Sequence, residues 1–127
     1  MGDAHHMSPA ETPVDIAHLD RYTGGERAIN EEVLRLFETS CHEILGKLDA
    51  LLQDGLPPET AGQWRDTAHT LKGAARGIGA FDLADAAALV EQSGAGERMV
   101  AIEALQRLKQ KAALVQAFIE DFLRTRG

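Results

Sequence analysis

The chain has a single cysteine, Cys41, in 127 residues. One thiol cannot form an intrachain disulfide, and such a composition fits a reducing compartment. Positive charge is also scarce: 13 Lys and Arg stand against 20 Asp and Glu, for a formal net charge of -7. Nucleic acids and anionic membrane surfaces are both bound through clustered cations, so neither is expected as a partner. No apolar run approaches the ~20 residues of a membrane span, and no segment alternates apolar and polar residues as a half-buried strand does. The N-terminus lacks the apolar core of a secretory signal, and His6 stands where a myristoylation motif calls for Ser or Thr. A cytoplasmic protein is the expectation.

Nucleotide and metal motifs are missing as well. There is no Gly-x-x-x-x-Gly-Lys loop and no Asn- or Gly-rich pattern of an ATP lid, so ATP-dependent kinase activity is not expected. Glu38 and His42 are one helical turn apart, but Cys41 and His42 diverge by about 100° on a helix. No further ligands follow at zinc spacing. No metal site and no resident cofactor are expected.

What remains is aliphatic. Hydrophobic residues make up 44% of the chain and aromatics only 5%, a balance that favours helices packed through Leu and Ala layers. Residues 1–12 have no apolar period and read as a disordered, in part non-native leader, with Met7 as an alternative start. The domain then spans 13–127. Pro13 opens a short helix carrying Val14, Ile16 and Leu19, broken at Thr23-Gly24-Gly25. From about Glu26 to Gln53, Ile29, Val33, Leu36, Phe37, Ile44, Leu48, Leu51 and Leu52 recur at three- and four-residue steps, the pattern of a long amphipathic helix. Gly55 ends it. Further helices are predicted over 58–78, 81–92 and 97–125, with a turn at 93–96. Short connections make successive helices antiparallel neighbours. The predicted fold is an all-α, up-and-down four-helix bundle with a short extra N-terminal helix.

The segment from Ala68 to Gly79 carries the chemistry. On a helix, Trp64, Ala68, Leu71, Ala75 and Ile78 share the core side, while His69, Lys72, Gly73 and Arg76 fall opposite, with Arg65, Asp66 and Ala80 near them. An exposed imidazole, neutral near pH 7, is a competent nucleophile for phosphorus, and in-line transfer needs an open approach to it. Gly73, one turn beyond His69, opens that approach at a cost of about 1 kcal/mol in helix propensity. Lys72 places an ammonium where a phosphoryl group would gather negative charge. Gly77 and Gly79 suit the helix end and the tight turn before Phe81.

The His-x-x-Lys-Gly core, the small residues after it, and Gly79 ten positions beyond the histidine resemble the signature of the histidine-containing phosphotransfer (HPt) family. Leu19-Asp20-Arg21-Tyr22-Thr23-Gly24-Gly25 and Leu36-Phe37 resemble its opening helices. The resemblance covers roughly residues 14–123. It implies a phosphorelay intermediate: His69 phosphorylated, Lys72 stabilising the phosphate, Gly73 giving access. It also implies response-regulator receiver domains and a hybrid histidine kinase as partners, with Mg2+ held by the receiver. Arg76 departs from the family pattern, where a small polar residue is common, and bears on partner choice. A receiver covering the histidine should touch Arg65, Asp66, Arg76 and Gly79. Counting back from Gly55 sets His69 level with about residue 42, so Thr39 and Glu43 should flank the imidazole. A monomer is expected. Two other readings compete: a non-catalytic helical adaptor, and an excised phospho-acceptor module of a chemotaxis-type kinase. Phosphate on His69 after mixing with a phosphorylated receiver marks the first reading, the adaptor predicts none, and the third predicts labelling by a kinase domain with ATP and no receiver.

Overall fold

The computed structural model describes residues 12–93 and 97–125. Five α-helices follow one another: α1 (Ile16–Thr23), α2 (Arg27–Gln53), α3 (Ala61–Gly77), α4 (Phe81–Ser93) and α5 (Arg98–Arg124). No strand occurs among the described residues. The expected leader lies outside them apart from Thr12, as does the turn at 94–96. Ser93, assigned to that turn from the sequence, instead closes α4 with its hydroxyl donating to the Val90 carbonyl at 2.8 Å.

Helices α2 to α5 form the antiparallel bundle. Each packs on two neighbours, so the α3–α4 face lies opposite the α2–α5 face. Trp64, Leu34, Leu48, Leu71, Leu83, Leu105, Leu108 and Ile119 fill the core and are almost wholly buried. Between α3 and α4 the filling is mostly alanine: Ala68, Ala75, Ala84 and Ala87 are all buried. Small side chains let two helices approach closely, and the Trp64 indole N–H crosses that seam to the Val90 carbonyl at 2.8 Å. This approach later brings an α4 side chain against the histidine.

Helix α1 lies across one end. The Asp15 carboxylate caps it by accepting from the His18 amide, and Gly24, at φ 72°, ends it by donating to the Asp20 carbonyl. Asn30 ties α1 to α2, donating to Asp20 at 2.8 Å and accepting from the Thr23 hydroxyl at 2.6 Å. At the same end of the bundle, on the α2–α5 seam, Arg27 pairs with Glu31 at 3.0 Å, stacks on the Phe122 ring at 4.2 Å, and donates to the Phe122 and Thr125 carbonyls.

Several sequence expectations need correction. The first helix begins at Ile16 rather than Pro13. The third begins its α-helix at Ala61, because Pro58–Thr60 form a 3-10 turn in which the amide and hydroxyl of Thr60 both return to the Pro57 carbonyl at 2.9 Å. Ile29 and Leu36, assigned to the core stripe of α2, are 41% and 63% exposed. The apolar arc of α2 is wider than the bundle covers. Ala80, placed near the polar face of the third helix, is fully buried and lies beyond that helix. Cys41 is buried as expected, and burial pushes its thiol up to about 11.

Candidate functional site

His69 projects from the third turn of α3 with its side chain 64% exposed. Its Nδ1 lies 2.9 Å from Glu91 Oε2 on α4. The other Glu91 oxygen, Oε1, accepts from Lys72 Nζ at 2.7 Å. The Lys72 ammonium, above all, and then the imidazole hold the Glu91 carboxyl below the usual carboxylate range, against the opposing effect of partial burial. An ionised carboxylate only accepts hydrogen bonds. Nδ1 must therefore carry the proton, and the lone pair of the neutral ring sits on Nε2, which faces away from Glu91.

Lys72 does not stand opposite the core as expected. Its side chain is only 18% exposed, on the flank of α3 that meets α4. Lys72, three residues past His69 and so about 60° short of a full turn, faces α4 rather than solvent, and the close alanine seam brings Glu91 within reach.

Gly73 is exposed, and a Cβ built there would meet nothing within 4 Å; the same holds at Gly77. The fold itself gives no reason for a glycine at either position. Gly79 differs. It is buried with φ at +83°, and a Cβ would come within 2.6 Å of the Asp15 carbonyl oxygen. The Asp15 amide donates to the Gly79 carbonyl at 2.9 Å. Gly79 is thus the joint between α1 and the α3–α4 turn, and its burial leaves it without the exposed surface that the docking role expected from the sequence would use.

Arg65, Asp66 and Arg76 are exposed on α3 as expected. Thr39 and Glu43 are exposed on α2 but border the groove between α2 and α5. The group beside the imidazole is Glu91, which the sequence reading missed. Among the described residues, no group of His, Cys, Asp and Glu side chains could hold a metal ion, and no helix is long and apolar enough to cross a membrane.

Residues 32–120 match the Hpt domain family. This chain belongs to the Hpt family. The bundle is similar to the crystal structure of histidine-containing phosphotransfer protein B (HptB) from Pseudomonas aeruginosa PAO1, with a TM-score of 0.78 and 26% identity, covering 91% of this chain and 99% of that one. No match was found among curated proteins. As an Hpt domain, the chain is a histidine phosphotransfer protein of a phosphorelay, a family that works with receiver domains and kinases.

Proposed function

We propose that His69 carries the phosphoryl group, accepting it at Nε2 from the phosphoaspartate of one receiver domain and passing it to the aspartate of another. The observation that carries this reading is the exposed imidazole whose Nδ1 is tied to Glu91 while Nε2 is open.

In the forward step the Nε2 lone pair attacks phosphorus, the P–O bond to the receiver's aspartate breaks, and that aspartate leaves as a carboxylate. The ring keeps its Nδ1 proton and becomes a cationic phospho-imidazolium. Glu91 offsets that charge through the hydrogen bond already formed. Lys72 holds Glu91 ionised and keeps an ammonium one turn from the phosphoryl oxygens. Reversal onto a second aspartate leaves the imidazole as it began. Gly73 and Gly77 keep the surface beside the ring flat, so that the receiver's acceptor pocket, with its own Mg2+, can close on Nε2.

The receiver footprint then centres on α3, with Arg65, Asp66 and Arg76 around the histidine and Thr39 and Glu43 at its α2 margin. A hybrid histidine kinase supplies the first receiver, and the chain acts as a cytoplasmic monomer. The test is phosphorus NMR of the chain after incubation with a phosphorylated receiver. A single acid-labile, base-stable phosphohistidine substituted at Nε2 of His69 is expected. Phosphate at Nδ1, on another residue, or absent altogether contradicts the proposal.

A further inference from the structure

The α2–α5 seam is cross-linked at two levels. Arg27 of α2 bonds the Phe122 and Thr125 carbonyls at one end of α5, and Lys109 of α5 pairs with Asp49 of α2 at 2.7 Å further along. Between these clamps the two helices leave a groove of about 450 Å3. Its floor is apolar: Phe37, Cys41 and Leu45 from α2, and Ala112, Val115 and Ile119 from α5. Its rim is acidic, with Glu38 on α2 and Glu120 on α5. Among the described residues neither carboxylate belongs to an ion pair, and Glu120 accepts only from Gln116 Nε2 at 3.1 Å. Partial burial and the facing charge of Glu120 both raise the Glu38 carboxyl above its ordinary value, and Arg35 offsets this only in part. The groove is therefore held in shape at both ends and carries two carboxylates that repel each other across an apolar floor.

We infer that the α2–α5 groove is a docking site for a cationic amphipathic helix of a partner protein. A helix laid along a two-helix groove seats its apolar stripe between the ridges, and Lys or Arg flanking that stripe would meet Glu38 and Glu120. The occupant lies on the face opposite α3 and α4, so it leaves His69 uncovered and meets the proposed receiver footprint only at Thr39 and Glu43 on the α2 rim. Such a contact could hold the domain near a signalling partner while a receiver docks on the histidine.

The test uses the full chain, isotope-labelled for NMR, and a short peptide of leucine and lysine in amphipathic helical order, with its glutamate-for-lysine counterpart as control. The lysine peptide should shift the amides of 37–45 and 112–120 and leave those around His69 in place. The double variant Glu38→Gln, Glu120→Gln should weaken binding by roughly tenfold, and the acidic peptide should not bind. If the variant proves unfolded by circular dichroism, salt decides: wild-type binding must weaken as sodium chloride rises. Salt-independent binding, equal binding of both peptides, or shifts centred on α3 and α4 would overturn the inference. So would concentration-dependent shifts in this groove without any peptide, which would assign it to a second copy of the chain.

Discussion

His69 Nδ1 and Glu91 Oε2 lie 2.9 Å apart across the α3–α4 seam, joined by residues 22 positions apart in the chain. Glu91 thereby selects the ring tautomer and keeps a negative charge beside the nitrogen that becomes cationic. Glu91→Gln keeps an acceptor but removes the charge. The ring that turns cationic then loses its counter-charge, so single-turnover transfer should slow by about tenfold. The fold should survive. A variant with wild-type kinetics would reduce Glu91 to a bystander.

The same carboxylate sets a pH window. Lys72 chiefly, and His69, depress the Glu91 carboxyl below its ordinary value of 4.5. A group with a folded value below its unfolded one stabilises the fold above the unfolded value, and that contribution is lost as pH falls through the folded value. The Glu91 contribution is therefore intact at pH 5 and above and disappears only below about 4.5. Denaturant melts of wild type and Glu91→Gln should run parallel above pH 5 and converge in acid. Convergence already at pH 6 would contradict the pairing.

Lys72→Ala should leave Glu91 bonded to the imidazole but remove the nearby ammonium. Transfer should slow and the phosphorylated form should hydrolyse faster, each by about tenfold if one charge-assisted contact to phosphate is lost. Lys72→Arg should recover part of the rate, since the charge survives while the geometry changes. Quench-flow kinetics and decay of the isolated phosphoprotein measure the two effects. Equal lifetimes for wild type and Lys72→Ala would remove the lysine from the mechanism.

Gly73 and Gly79 should separate cleanly on substitution. Gly73→Leu faces open space, so stability should hold or rise by up to ~1 kcal/mol from helix propensity, while transfer slows because the side chain stands in the receiver's path. Gly79→Ala meets the Asp15 backbone at 2.6 Å in a left-handed conformation. It should cost about 1–3 kcal/mol, seen as a lower melting temperature with little change in transfer by the folded fraction. The opposite pattern would mean that the two roles are exchanged.

The bundle was legible because its helices are long and periodic and end at Gly55 and at the Gly79 turn. The histidine, its lysine and its glycine were legible because they lie within one helix turn of one another, where geometry follows from spacing. Glu91 was not, because it belongs to the next helix. Counting back from Gly55 tied His69 to α2 and pointed to Thr39 and Glu43. The same count about Ala80 sets Glu91 as far beyond the turn as His69 lies before it, and would have found the partner. Gly79 was legible as a turn residue, but its contact with Asp15 was not, because a glycine that faces solvent and one pressed on a neighbouring backbone look alike in sequence. The exposure of Ile29 and Leu36 depends on how wide an arc the neighbouring helices cover, which the period of α2 does not report.

The central claim is that His69 is the phosphoryl carrier. Its most direct test is transfer of labelled phosphate from a phosphorylated receiver to wild type and to His69→Gln, with helicity followed by circular dichroism. An exposed side chain adds little to stability, so the variant should keep its helices and take up no label, while wild type is labelled. A folded His69→Gln chain that still accepts phosphate would contradict the account.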